Sequence, residues 1–376
     1  MRVGITLLKN FMQCYLVVFM CAVTAYGKTK SSTDNVITFG QSATFDGSFG
    51  LYGKIIKNGI LACMYRVNDQ GGVRGKKLNL VSLNDSGDPR QTQKNVDQLL
   101  SQGIDMFIGN MGTRSVLKIL PYIQDEKIAM FFPWGSDEKL RDSSLTNIIN
   151  GPGLLKPQLT AIVDYIEKNI RHRKIAIFHA DDDFSISASH DLTAELKRRD
   201  VAACAVASYN RFTLDIETAA NNLLPSDPKI VICLATSTPV VKLINNFFLQ
   251  GHYGTTFFGI DSTFFVGDII RARGADFYYS SAVPNPLTSS IGLAKQYLQD
   301  IEKYFPQENP NVLSFTYYVA VAIIVEAMKN TSGDITKEKI IEEIENMKNY
   351  SVDGFPVTFE SSSRQAFGSD VTIIKG

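Results

Sequence analysis

Residues 36–89 read VITFGQSATFDGSFGLYGKIIKNGILACMYRVNDQGGVRGKKLNLVSLNDSGDP. The run opens on a short apolar strand, Val36 to Gly40, followed by a glycine-punctuated loop through Gly53. From about Ile55 to Asn68 the apolar residues recur at helical spacing. Gly71, Gly72 and Gly75 make a turn into a second strand, Lys77 to Leu83, and the polar break 84–89 closes the unit. Strand, helix and strand joined by such short links describe two parallel strands with a crossover helix.

The pattern continues in both directions. A helix is predicted from about Arg90 to Ser101, with Val96, Leu99 and Leu100 on one face. It is followed by a strand Met106 to Gly109, a helix Val116 to Asp125 and a strand Ile128 to Phe132. Then the alternation restarts: helix 155–169, strand 174–179, helix 187–199, strand 201–207, helix 214–223, strand 230–235, helix 239–250 and strand 256–260. Pro284-Asn285-Pro286 reads as a crossover segment, and helices follow at 290–303, 315–328 and 336–349. Strands at 356–360 and 371–374 close the chain. The fold class is α/β, as two doubly wound parallel-sheet lobes.

A length of 376 residues suits about two domains. Lys and Arg number 38 against 38 Asp and Glu, so no basic surface is expected and nucleic acid is not a partner. At the N-terminus, Arg2 and Lys9 precede an apolar stretch from Phe11 to Ala25. That is the form of a secretory leader over residues 1–27, cleaved after Ala25 or after Gly27. A lipoprotein start at Cys21 is disfavoured by the bulk of Phe19 and Met20 before it. The remainder, with no further segment expected to be long and apolar enough to span a membrane, is read as an exported, periplasmic, soluble protein. Loss of the leader leaves Cys63, Cys204 and Cys233, all three expected to be buried and unreactive. Cys204 and Cys233 fall on the second and third strands of their sheet. Doubly wound order puts the first strand between them, so no bridge is expected.

Ligands of open parallel sheets bind at the carboxyl ends of the strands. The loops at 41–53, 110–115, 133–138, 180–185, 236–238 and 261–265 lie there. Thr113 and Ser136 each follow a strand near a helix start, where hydroxyls beside free N–H groups hold an anion or merely cap the helix. Asp261, directly after an apolar strand, is either an ammonium anchor or a turn residue.

At these loops the sequence resembles the type I periplasmic solute-binding proteins, in particular the leucine–isoleucine–valine-binding family of ABC importers. The resemblance rests on Gly40, Phe49-Gly50-Leu51-Tyr52-Gly53, Asn58-Gly59, the run Asn68 to Gly75, Asn84 to Pro89 and Phe107-Ile108-Gly109. It implies two lobes joined by three crossovers, near Gly151–Leu155, Val283–Leu287 and Tyr350–Phe355. The first lobe is then 36–153 plus 285–350 and the second 154–284 plus 351–376. It further implies an amino acid or similar small molecule held between the lobes, an inner-membrane ABC permease as partner, and a monomer. By position, Thr113 and Ser136 would bind the ligand carboxylate and the Trp134 carbonyl would accept from its ammonium. Tyr52 and Phe184 would line the side-chain pocket, and Asp261 would be the second lobe's counter-charge. Several positions depart from the family. Asp261 is one methylene shorter than the usual Glu, Phe184 lacks the hydroxyl of a common Tyr, and Trp134 and Arg114 are bulky where small residues are frequent. Arg114 either reaches a second ligand carboxylate or points into solvent.

An enzyme is not expected, and neither a cofactor nor a metal is assigned. Gly47, Gly50 and Gly53 lack the G-x-G-x-x-G spacing of a dinucleotide loop, and neither G-x-x-x-x-G-K-[ST] nor G-x-S-x-G occurs. The histidines His172, His179, His190 and His252 show no metal-ligand spacing, and Asp181-Asp182-Asp183 reads as a solvated loop in preference to a metal cluster. The competing reading keeps the fold and makes the protein a periplasmic ligand sensor acting on a signalling partner.

Overall fold

The computed structural model describes residues 35–152, 154–270 and 274–376, together with the backbone but not the side chains of 183, 184 and 268. The leader and its cleavage sites lie outside the described residues. In the first lobe, β1 (Val36–Ala43), β2 (Lys77–Asn84), β3 (Met106–Ile108), β4 (Ala129–Phe131) and β5 (Ile148–Ile149) form a parallel sheet in the order β2-β1-β3-β4-β5. Helices α1 (Gly50–Asp69), α2 (Pro89–Ser101), α3 (Thr113–Lys118) and α4 (Leu120–Gln124) connect them. Covered on both faces, the central strands can be apolar almost throughout, and Phe39, Phe107, Ile108 and Phe131 are all fully buried. The helix expected at 116–125 is broken at Ile119, where Pro121 removes a donor from the second turn.

The polar break after β2 has a structural task. Asp85 is wholly buried and accepts from the hydroxyls of Ser42 (3.0 Å), Thr44 (3.0 Å) and Thr92 (3.1 Å) and from the Gly87 amide (2.9 Å). Four donors offset the cost of burying a carboxylate that has no ion pair among the described residues. They tie the loop leaving β1 to the start of α2, which Asp88 caps by accepting from Arg90 N.

The second lobe contains α5 (Leu155–Tyr165), β6 (Ile175–Ala180), α6 (Asp183–Lys197), β7 (Ala205–Tyr209), α7 (Ile216–Leu223) and β8 (Ile230–Leu234). It continues with α8 (Ser237–Leu249), β9 (Thr256–Gly259), α9 (Val266–Ile270) and β10 (Phe277–Ser281). Its sheet order is β13-β10-β9-β8-β6-β7, where β13 (Thr372–Lys375) is the chain end and runs antiparallel to β10. β7 begins four residues later than the strand expected at 201–207. As predicted, β6 lies between β7 and β8, and the three described cysteines are free. Cys63 and Cys233 are buried, but Cys204 is exposed, which corrects the expectation for it. It precedes β7, the edge strand, where only one side of the chain meets protein.

The chain then returns to the first lobe as α10 (Gly292–Tyr304), α11 (Val312–Asn330) and α12 (Lys337–Glu345). By length and a mean hydropathy of 1.6, α11 does qualify as a candidate membrane span, contrary to the sequence expectation. Its composition has another cause. α1, α10 and α12 pack around it, and Phe315, Tyr318, Val319, Ile323 and Met328 are all buried. Next comes a hairpin, β11 (Tyr350–Val352) with β12 (Phe355–Val357).

The hairpin corrects the third crossover. It stays on the first lobe: Tyr350 donates to Glu326 of α11 (2.9 Å), and the Asp353 carbonyl accepts from Leu293 N of α10 (2.9 Å). The chain then runs beside β5, with Asn150 N bonded to Arg364 O (2.6 Å) and Ala366 N to Asn150 O (2.9 Å). Residues 351–366 therefore belong with the first lobe. The third passage falls between Ala366 and Thr372, because only β13 joins the second sheet.

Candidate functional site

The two lobes meet at the carboxyl ends of their sheets, and Tyr52 joins them. It lies in the first turn of α1 and is 5% exposed. Its hydroxyl donates to the Ser262 carbonyl (2.9 Å) and accepts from Ser237 N (3.2 Å), both in the second lobe. Its ring stacks on Trp134 at 5.5 Å and 18° and meets Phe264 edge-on at 6.1 Å. α1 approaches the β1 loop this closely because the next residue is Gly53, where a Cβ would stand 1.9 Å from the Thr44 carbonyl oxygen. The cleft is thus closed. Tyr52→Phe is expected to loosen closure by about 1–2 kcal/mol, the worth of the hydrogen bonds it deletes. The readout is a larger radius of gyration of the ligand-free protein in small-angle X-ray scattering, with little change in melting temperature. An unchanged profile would show that the hydroxyl does not hold the lobes together.

Thr113 and Ser136 stand side by side. The Thr113 hydroxyl lies 3.4 Å from that of Ser136 and accepts from the Ser136 amide at 3.3 Å. The loop turns at Gly112, whose φ of +99° suits glycine, and the Gly112 amide donates to the Trp134 carbonyl at 2.9 Å. One lone pair of that carbonyl is therefore already used. Phe184 lies in α6, and its side chain is outside the described residues. The neighbouring acids have structural partners: Asp182 caps α6 by accepting from Ser185 N, and Asp181 accepts from Asn210 and from Arg211 N.

Asp261 follows β9 in the second lobe. One carboxylate oxygen accepts from Gln158 Nε2 at 3.1 Å, and the Gln158 carbonyl oxygen accepts in turn from Asp261 N (3.0 Å) and the Ser280 hydroxyl (2.6 Å). Asp261 retains some surface and lines the cavity described below. Burial pushes its carboxyl up to about 6, against the opposing pull of the Gln158 and Ser262 hydrogen bonds. No cation contributes to that balance. Gln158 was not singled out from the sequence. Its signal was a polar residue at a helical position flanked by the buried Leu155, Leu159 and Ile162.

A cavity opens beside Asp261, bounded by Trp134, Pro152, Leu313, Thr316, Tyr317 and Phe367 among others. Burial raises the Tyr317 hydroxyl well above its ordinary range, with the Asp261 charge adding to the effect, so it is a neutral donor. Of the expected site residues, the cavity therefore unites Trp134 and Asp261. Tyr52 stands behind Trp134, and the Thr113–Ser136 pair is not in the wall.

The sequence profile described as "Periplasmic binding protein" matches residues 36–374. Leu/Ile/Val-binding protein homolog 3 of Brucella melitensis is 26% identical over 143 residues, 38% of this chain and 39% of that protein. The leucine-specific-binding protein of Salmonella typhimurium is 27% identical over 133 residues, 35% of this chain and 36% of that protein. These alignments span less than half the length of the curated relatives. Among solved structures, a possible leucine/isoleucine/valine-binding protein from Rhodopirellula baltica superposes with a TM-score of 0.80 at 23% identity, covering 93% of this chain and 96% of the other. With two doubly wound lobes, three passages between them and a profile match over nearly the whole described chain, this protein belongs to the periplasmic binding protein family, in its type I, leucine–isoleucine–valine-binding-protein-like branch.

Proposed function

We propose that this protein captures a small polar solute, an amino acid or a related amine, between its two lobes outside the cytoplasm and presents it to an inner-membrane ABC permease. The observation that carries the proposal is Asp261, a desolvated carboxylate with no cation beside it among the described residues, at the closed junction of two lobes. A ligand ammonium would supply the missing charge. Closure is favoured by ligand because only the closed form offers contacts from both lobes at once. The names of the Brucella and Salmonella relatives support an amino-bearing ligand, and the N-terminal leader supports export. The protein is expected to work as a monomer, as the ligand contacts proposed come from one chain.

The test is a thermal-shift screen of the chain from Tyr26 onward against amino acids, amines, amides and dicarboxylates. A ligand at about 100 times its dissociation constant adds about 2.7 kcal/mol, which raises the melting temperature by a few degrees. Stabilisation by amino-bearing compounds is the expected result. Stabilisation by dicarboxylates alone would sink the assignment of Asp261.

A further inference from the structure

The floor of the cavity beside Asp261 is one face of α11. Leu313, Thr316, Tyr317 and Ala320 line it, at the three- and four-residue spacing that puts side chains on one side of a helix. The next residue, Tyr318, serves the interior of the first lobe instead. Its hydroxyl donates to Asp300 of α10, and Arg66 of α1 lies over its ring. Two adjacent tyrosines of one helix therefore meet different surroundings, one within a lobe and one at the junction of the lobes.

Ser281, Thr316 and Tyr317 bring hydroxyls to the cavity wall, and two of these are already used. Ser281 donates to the Val283 carbonyl at 2.7 Å, and Thr316 donates to the Val312 carbonyl at 2.8 Å. The Tyr317 hydroxyl makes no hydrogen bond among the described residues, although its side chain is only 3% exposed. Burial and the charge of Asp261 both hold it neutral. A neutral phenol has a proton to give and lone pairs to receive one, so it can serve an N–H or an oxygen of a guest. Buried hydroxyls without a partner are costly and rare, and one in the wall of a cavity is satisfied when a guest enters.

Asp261 lines the same cavity, with one carboxylate oxygen accepting from Gln158 at 3.1 Å. It stands at the end of β9 in the second lobe, whereas Tyr317 belongs to α11 on the first. The two groups can hold one guest together only when the cleft is closed.

We infer that Tyr317 is a ligand-contact residue that sets specificity: its hydroxyl bonds the same polar head of the guest that Asp261 holds from the opposite lobe. The inference rests on the proposed solute-binding role of the cleft and adds a residue to it. Selection then falls on the head group. A guest whose head cannot reach the phenol leaves that hydroxyl buried and unpaired on closure, which is how a polar site rejects an analogue.

Tyr317→Phe removes the oxygen and keeps the ring. Tyr318→Phe does the same one residue along and is the structural comparison. Both are made in the chain from Tyr26 onward, and titration calorimetry at neutral pH is run with each of the twenty standard amino acids and with their decarboxylated amines. With no compound added, Tyr317→Phe should melt at or above the wild-type temperature, since it deletes no hydrogen bond. Tyr318→Phe should melt a few degrees lower, because buried Asp300 loses a donor. For the compound that binds wild type most tightly, Tyr317→Phe should lose about tenfold in affinity and Tyr318→Phe no more than about twofold. Unchanged affinity in Tyr317→Phe overturns the inference and leaves solute capture standing. Equal losses in the two variants also overturn it, since the effect would then be general. So does a Tyr317→Phe protein that melts well below wild type, because the hydroxyl would have a partner within the fold. If wild type binds none of the compounds, the inference falls together with the proposed function.

Discussion

Asp261→Asn is expected to make the ligand-free protein more stable at pH 7 and to weaken sharply its capture of an ammonium-bearing solute. The carboxyl titrates near 6 in the folded protein and near its ordinary 3.8 once unfolded. Between those values the folded chain binds more protons than the unfolded one, so this group makes stability fall as pH rises. The penalty is absent below about pH 4, grows through the window from about 4 to 6, and is complete near pH 7. A shift of about two units corresponds to about 3 kcal/mol. Asparagine keeps the shape and can still meet Gln158, but carries no charge to desolvate.

Melting curves at pH 4 and pH 7 should therefore show the variant nearly level with wild type at the lower pH and several degrees above it at the higher one. Ligand affinity should move the other way. In wild type, binding of a cation weakens about tenfold per unit below pH 6, because the carboxylate must first lose its proton. The variant should bind weakly throughout. An Asp261→Asn protein no more stable than wild type at pH 7 would show that the carboxylate is well solvated and that no strained counter-charge stands in the cleft. Gain of stability with loss of binding is the pattern of a site maintained at the expense of the fold.

Gly59→Ala is expected to destabilise the protein by about 1–2 kcal/mol, even though alanine is the better helix former. Gly59 faces α11 from the middle of α1, and a Cβ there would stand 2.2 Å from the Ser314 carbonyl oxygen. Helix propensity favours alanine by about 1 kcal/mol. Against that, the clash is with backbone, which has no rotamer to change, so the helices must separate. Separation loosens Ile55, Ile56, Ile60 and Met64 of α1, all buried in the core that α11 shares. Overpacking of this kind costs about 1–3 kcal/mol and sometimes more, and it outweighs the propensity gain. A fall in melting temperature of about 2–5 °C is the expected reading. A variant as stable as wild type would mean that the α1–α11 contact has slack, and that the close approach is incidental.

Much of the architecture was legible in residue spacing. The strands β1, β2, β6, β8 and β9 were found within a few residues of their ends, because strands covered on both faces must be apolar and short. β10 was not found. Its second half is Ser280-Ser281, polar residues that are buried with partners: the Ser280 hydroxyl donates to Gln158 across the fold, and the Ser281 hydroxyl donates to the nearby Val283 carbonyl. The third crossover was placed too early for a related reason. A hairpin that packs on its own lobe and a segment that leaves it have the same local sequence character, and the Asn150–Ala366 contact joins residues more than 200 positions apart.

The candidate site divides along the same line. The family resemblance implied that Thr113 and Ser136 act together; that both, and Asp261, would stand at strand ends followed from sheet topology, and topology follows from the order of apolar segments. Which of those groups would share a cavity did not. The walls come from β4, α11, the ends of β9 and β10 and the passages between lobes, and their arrangement depends on how two sheets close over each other. The raised titration of Asp261 is likewise a product of closure, because desolvation requires neighbours that local sequence does not supply. Sequence alone determined the two doubly wound lobes and the strand ends at which a ligand can bind, since these depend on periodicity along the chain, and its motifs from Gly40 to Gly109 carried the resemblance to the family. Tertiary structure alone decided the latch of Tyr52 on Ser237 and Ser262, the burial of Asp261 without a cation among the described residues, and the largely apolar floor beneath it, since these depend on distances between residues far apart in the chain.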